Sequence, residues 1–362
     1  MHDASDDRGS FECPTGKVAC EGKCVETCLV SLATAAGFIT AIAVDAVNVY
    51  WLDVGPCSTT CAPSSGRVMS VPKTGGTPTT LASGQSTQGL PDSLVVDDTS
   101  VYWIDSSNSH EDPFPTGTLL RIPKAGGTVV TLASHLGMAA ALVESQDDLY
   151  WIEQDGVDGG FYNGEIMRLP KTGGSPVPFA ASGYFSHFFG VLGIDATNVY
   201  WSPSSDLLSE PLGGGAVTTL ASLANDAGSP GVLGLALDST SIFLLLERCN
   251  GSCEPSVLVS LPKEGGPVSA LKTRLNSPDS LVADEASVYW IDENVTDEED
   301  AGTSFEGTVL TVPKAGGAAT RLATNQENAF LLAVDSTSLY WTVEPYSSES
   351  GCPGEVMKRT PK

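Results

Sequence analysis

The pattern Val-Tyr-Trp-Ile-Asp and its close variants recur along the chain, and no other feature restricts the fold as strongly. It stands as Val49-Tyr50-Trp51-Leu52-Asp53 and again around Trp103, Trp151, Trp201, Trp290 and Trp341, so all six tryptophans occupy one repeat position. A seventh copy, Ile242-Phe243-Leu244, keeps the pattern with other apolar side chains. Taking the Tyr or Phe as marker, the copies fall at 50, 102, 150, 200, 243, 289 and 340, a spacing of 43 to 52 residues. Self-similarity at that period marks a repeat architecture whose units cannot bury their apolar faces alone.

Each repeat reads as four short strands. The first is apolar and ends in Asp, as in Ser93-Leu94-Val95-Val96-Asp97, and Asp97-Asp98-Thr99-Ser100 then makes a turn whose side chains cap local N–H groups. The Val-Tyr-Trp segment is the second strand. The third ends in Pro-Lys, as in Leu119-Leu120-Arg121-Ile122-Pro123-Lys124, and Gly126-Gly127 supplies the positive φ of a tight turn into the fourth, Val129-Val130-Thr131-Leu132-Ala133. Compact residues hold one position of the first strand (Ala43, Val95, Val143, Gly193, Ala236, Val282, Ala333), as expected where innermost strands converge. The last repeat stops at Thr360-Pro361-Lys362, before its fourth strand, and Leu29-Val30-Ser31-Leu32-Ala33 matches the missing piece. The expected fold is an all-β, seven-bladed β-propeller over residues 29–362, its last blade completed by the N-terminal strand and preceded by an acidic, Cys-rich leader over 1–28.

These repeats resemble the YWTD-type propeller repeats of extracellular receptor domains, and also TolB-like bacterial propellers, over about residues 29 to 362. The resemblance implies a partner-binding platform and, more rarely, an enzyme, and it transfers no functional residue. The leader is similar to short Cys-rich segments that precede repeat domains in secreted bacterial proteins.

A formal charge of −26 excludes nucleic acid, whose phosphates demand clustered Lys and Arg, and suits high solubility, a cationic partner or a metal ion. No run of apolar residues is long enough to predict a transmembrane segment. Among nine cysteines, Cys57 with Cys61 and Cys249 with Cys253 form close pairs without zinc-finger or redox spacing, and read as disulfides that stiffen loop tips. That reading places the protein outside a reducing cytosol: secreted, periplasmic or at the cell surface. The odd count leaves one thiol over, and Cys352 stands apart. The acidic start reads as a mature form after loss of an export signal, and suits a tether behind a lipid anchor.

In a four-stranded blade the first-to-second and third-to-fourth turns share one face of the disc, and the remaining loops share the other. The first set is stereotyped here and the second long and variable, so the variable face is the expected site of recognition. Lys73, Lys124, Lys171, Lys263, Lys314 and Lys362 fall in the stereotyped turns and read as a basic ring, broken at Pro211-Leu212-Gly213. The variable face collects acids (Glu111, Asp112, Asp155, Asp158, Asp226 and Asp297-Glu298-Glu299-Asp300) and the aromatics Phe114, Phe161, Tyr162, Tyr184, Phe185, Phe305 and Tyr346. Aromatic rings beside carboxylates suit sugar rings and cationic peptides alike. Asp92 and Asp279, in the near-identical Pro91-Asp92-Ser93 and Pro278-Asp279-Ser280, are expected near the channel mouth, where they bind an ion or substrate or cap loop backbone.

His110, His135 and His187, with Glu111, Asp112 and Asp158, form a candidate transition-metal set, although no local ligand spacing supports it. Calcium, the only cofactor expectation, has a better match at Asp155-Gly156-Val157-Asp158 or at 297–300, against the default of solvated acidic loops. Serine-hydrolase, phosphate-loop, Rossmann and paired-His motifs are missing from the sequence. Three expectations follow. The first is a non-catalytic extracellular module binding a protein or glycan through the variable face. The second is a motif-poor hydrolase or lyase, calcium-dependent or not, with its site at the channel mouth. The third is head-to-tail self-association of a basic face on an acidic one.

Overall fold

A computed structural model describes residues 18–20, 23–54, 66–85, 93–107, 116–156, 162–185, 191–203, 206–223, 231–249, 253–293, 306–344 and 354–362. β1 (Val18–Cys20) and β2 (Lys23–Val25) pair as a small separate sheet, and β3 (Cys28–Thr34) follows. The first blade is β4 (Ile39–Val44), β5 (Asn48–Asp53), β6 (Gly66–Pro72) and β7 (Thr79–Gln85). The second runs through β8 (Leu94–Val96), β9 (Ser100–Ser107), β10 (Thr116–Pro123) and β11 (Val130–Leu136), and the third through β12 (Met138–Glu144), β13 (Asp148–Gly156), β14 (Tyr162–Pro170) and β15 (Val177–Phe185). Blade four is β16 (Val191–Ile194), β17 (Asn198–Ser202), β18 (Asp206–Pro211) and β19 (Thr218–Ser222). Blade five is β20 (Gly231–Leu237), β21 (Ser241–Cys249), β22 (Cys253–Pro262) and β23 (Ser269–Leu275). Blade six is β24 (Pro278–Ala283), β25 (Ser287–Glu293), β26 (Glu306–Pro313) and β27 (Thr320–Glu327).

Every blade is an antiparallel meander, and the seventh is completed across the chain's ends. Its order is β28 (Leu332–Val334), β29 (Leu339–Val343), β30 (Glu355–Thr360) and then β3, with Val30 opposite Lys358 and Ala33 opposite Val356. The N-terminal strand thus covers the edge that β30 would otherwise expose. Among the described residues there is no helix.

The repeat tyrosine and tryptophan explain why the blades stay together. Each core cluster joins the Tyr of one blade to the Trp of the next: Tyr50 with Trp103, Tyr102 with Trp151, Tyr150 with Trp201, Tyr289 with Trp341 and Tyr340 with Trp51. Where blade five lacks the aromatics, Leu244 packs in the cluster of Tyr200, and Phe243 in that of Trp290. All six tryptophans are fully buried. The aromatics are therefore interblade filler, and truncating one to Ala costs roughly 3–5 kcal/mol.

Glycine appears where the backbone demands it. Gly126 and Gly127 have φ of 81° and 131°, and the same pair recurs in the other third-to-fourth turns. Gly193 has a different reason: a Cβ there would lie 2.3 Å from Leu235 Cδ2 on the neighbouring inner strand.

Candidate functional site

One face of the disc is consumed by ring closure. After each first strand, an aspartate side chain folds back over its own turn: Asp45 Oδ1 accepts the N–H groups of Val47 and Asn48, both at 2.7 Å. Its Oδ2 accepts the Tyr50 hydroxyl at 2.9 Å and the Lys124 ammonium of the next blade at 2.6 Å. The same latch joins Lys171 to Asp97, Lys263 to Asp195, Lys314 to Asp238, Lys362 to Asp284 and, across the ring closure, Lys73 to Asp335, at 2.5 to 3.1 Å. Four of these lysines, Lys73, Lys124, Lys171 and Lys263, also lie over the tyrosine ring of the preceding blade, as Lys124 does 5.6 Å from the Tyr50 ring centroid. Burial alone would raise the Asp45 carboxyl, but Lys124, the two turn N–H groups and the Tyr50 hydroxyl outweigh it and hold it down at about 2. Asp97, Asp195, Asp238, Asp284 and Asp335 are lowered by the same balance.

The lysines expected as a basic ring are each paired with an aspartate of the preceding blade, so the ring is one of ion pairs.

The seam between blades three and four departs from the rule, and does so at both partners together. Ser145 stands where the aspartate should be and Leu212 where the lysine should be. Leu212 packs with Tyr150, Phe179 and Trp201, while Arg168 covers the Tyr150 ring at 6.0 Å and pairs with Asp148 at 2.7 Å. Beside this seam lies a depression of ≈ 910 Å³ bordered by the first-to-second turns of blades one to four, including Asp45, Asp97, Glu144, Asp148 and Asp195. Those acids are already paired with Lys124, Lys171, Arg168 or Lys263. Asp98 and Asp147 border the same depression, so its rim is acidic and largely engaged in ion pairs.

On the opposite face, several described acids hold backbone. Asp53 accepts the Ala36 N–H at 3.1 Å and pairs with Arg67 at 2.6 Å; Glu153 accepts from Gly137 at 2.6 Å, and Asp292 from Asn276 at 3.0 Å. Each acid lies in the later part of its blade's second strand and clasps the link that enters the same blade's first strand. Glu344 does this across the closing seam, accepting the Ile39 N–H at 3.0 Å, and burial raises its pKa.

Asp279 differs from all of these. It sits at the start of β24, part-buried, with one oxygen accepting the Ser280 N–H at 2.6 Å, and burial pushes its carboxyl up. Three exposed apolar residues occupy neighbouring positions at the same end of the inner strands: Phe38 before β4, Leu233 in β20 and Phe330 before β28. Sequence reasoning found Asp279 through its Pro-Asp-Ser context and missed these three. They carry no motif, and only their exposure at the inner-strand ends distinguishes them.

Of the other sequence candidates, Asp92, Phe114, Phe161, Phe305, His110, His187, Asp158, Cys57, Cys61 and Cys352 lie outside the described residues. Tyr162, Tyr184, Phe185 and Asp155 lie on strands β13 to β15 of blade three, with Tyr162 opposite Phe185 and Tyr184 opposite Asn163. Cys249 and Cys253 face each other in register across the β21–β22 hairpin. Cys28, at the head of the closing strand, is buried and disulfide-bonded.

His135 is exposed and has φ of 58°. Gly84, Arg274 and Asn325 share that left-handed conformation at the corresponding bulge of their fourth strands. His135 therefore occupies a bulge position of the repeat. Among the described residues no group of three or more His, Cys, Asp or Glu is placed to hold a metal ion.

Seven four-stranded antiparallel blades in a closed ring define a seven-bladed β-propeller. Among solved structures the chain is similar to the polysaccharide lyase Uly1, with a TM-score of 0.56, 9% identity and 89% of each chain covered, a likeness of fold. It also matches the tricorn protease with a TM-score of 0.37 and 11% identity, over 84% of this chain but only 41% of that one. No family model matches, so neither the YWTD-type nor the TolB-like resemblance gains support, and no curated protein matches either.

Proposed function

We propose that this protein is a recognition platform that binds a protein or a glycan through its variable-loop face, outside a reducing cytosol. One observation carries the reading: the stereotyped face is committed to six interblade lysine–aspartate latches, so the opposite face is the one free to diverge. The acidic balance of −26 favours a neutral glycan or a cationic protein over a polyanion. The test is replacement of Phe161, Tyr162, Tyr184 and Phe185 by serine, read by glycan-array and protein-partner binding. Binding is expected to fall at least tenfold with the melting temperature within a few degrees of the parent. Unchanged binding would remove the loop face from consideration.

A second reading, an enzyme acting on a polysaccharide at the channel mouth, draws on the fold likeness to a polysaccharide lyase and on the raised pKa of Asp279, which suits proton transfer. A screen of polysaccharides for chain scission tests it. Full activity in Asp279→Asn would exclude this acid from the chemistry.

A further inference from the structure

The channel mouth on the loop-bearing face carries a feature that ring closure does not require. Going round the ring, the inner strands β20, β24, β28 and β4 are successive neighbours. At their loop-face ends stand Leu233, Asp279, Phe330 and Phe38, in that order. The three apolar side chains are 36%, 40% and 50% exposed, whereas the other large apolar groups of these strands are buried or part-buried. Leaving such area in water forgoes the gain of burying it, so a fold selected for packing alone gains nothing from this placement.

Asp279 lies between Leu233 and Phe330 in this order. Among the described residues it accepts a hydrogen bond from the Ser280 N–H alone, and no cation acts on it. The corner is fixed in place: Ser280 has φ of 45°, and its Oγ accepts the Leu332 N–H of the next blade at 2.9 Å. Among the described residues Asp279 makes no bond across the seam, in contrast to the six latch aspartates.

We propose, resting on the reading of this face as the binding face, that this sector of the mouth seats a lysine- or arginine-type side chain of a basic peptide. The aliphatic stem lies against Leu233, Phe330 and Phe38, and the cation meets the open oxygen of Asp279. A carboxylate withdrawn from water and given a single N–H regains most from a cation, because a charge-assisted pair is about twice as strong as a neutral hydrogen bond. The Phe rings add cation–π attraction, and the acidic molecule draws cations toward the site.

The experiment titrates the full-length protein by calorimetry, at low salt, with a hexapeptide of alternating leucine and arginine. A second peptide replaces arginine by citrulline, which keeps the shape and loses the charge. Saturable binding of the arginine peptide is expected, at least tenfold tighter than the citrulline peptide. Asp279→Asn retains an acceptor for Ser280 and is expected to weaken binding at least tenfold. Phe330→Ser should weaken it without touching the acid, and Asp98→Asn on the opposite face should change nothing. Equal affinity for the two peptides, or an unaffected Asp279→Asn, overturns the proposal. So does Asp279-dependent binding of a neutral oligosaccharide in a protein that ignores the arginine peptide. If the loop-aromatic variants still lose their partner while the peptide fails to bind, the face stands and only the cation seat falls.

Discussion

At the scale of single residues, the latch aspartate caps a turn and pairs with the next blade's lysine, and in five of the six latches it also anchors a tyrosine, Asp238 lacking one because its blade carries Phe243. Its partners are mostly shielded from solvent, with side-chain exposure of 16% for Lys124 and 18% for Asp45, so the pair lies between surface and buried salt bridges in strength. Asp45→Asn and Lys124→Met are each expected to cost about 1–3 kcal/mol in urea unfolding, and the double variant less than their sum. Strict additivity would show that the pair is not coupled. The joint loss of Asp and Lys at Ser145 and Leu212 is the same cycle written in the sequence, since either loss alone strands a part-buried charge. The acid response follows with its sign. The Asp45 carboxyl is lowered from 3.8 to about 2, so its contribution is complete above pH 4 and is lost as pH falls toward 2. Unfolding free energy measured from pH 6 to pH 2 should hold steady and then drop below pH 4. A decline centred near pH 6 would assign acid sensitivity to other groups.

At the scale of strands, β3 and the inner strands decide whether the ring closes. A chain lacking residues 1–34 exposes the whole edge of β30, and is expected to elute as multimers or aggregate rather than as a monomer. Monomeric, fully folded protein in size-exclusion chromatography would deny β3 its closing role. Gly193→Leu puts bulk where a Cβ already meets Leu235, and should cost about 1–3 kcal/mol through overpacking. Legibility in the sequence divides along the same line. Strand order, blade count, the closing strand and the interblade Tyr–Trp packing were readable because they repeat with the chain. The lysine pairing was not, because its partner lies in another blade, 79 residues away for Lys124 and Asp45, and the lysines alone read as a basic ring. Phe38, Leu233 and Phe330 were invisible for a related reason: each looks like an ordinary strand hydrophobe until the ring shows which strand ends are left uncovered.

For the whole molecule, a closed ring is only as firm as its weakest seam. Every seam has an apolar contact built on the repeat aromatics or their apolar substitutes, and six add an ion-pair latch. The seam between blades three and four relies on the apolar cluster in which Trp201 and Leu212 of blade four meet Tyr150 of blade three, while the contacts of Arg168 with Tyr150 and Asp148 stay within blade three. The closing blade is not the weak point, because β3 and β30 pair along most of their length and Lys73 and Lys362 latch its two seams. Partial opening is therefore expected to start between β12 and β16. In native-state hydrogen exchange, the inner-strand amides of blades three and four should lose protection at lower denaturant than those of blades one and two. Installing the missing pair as Ser145→Asp with Leu212→Lys should bring the two sets together, whereas Leu212→Lys alone buries an unpaired ammonium and should widen the gap. Uniform protection around the ring in the parent protein would mean that apolar packing sets seam strength and that the latches fix only the register between blades.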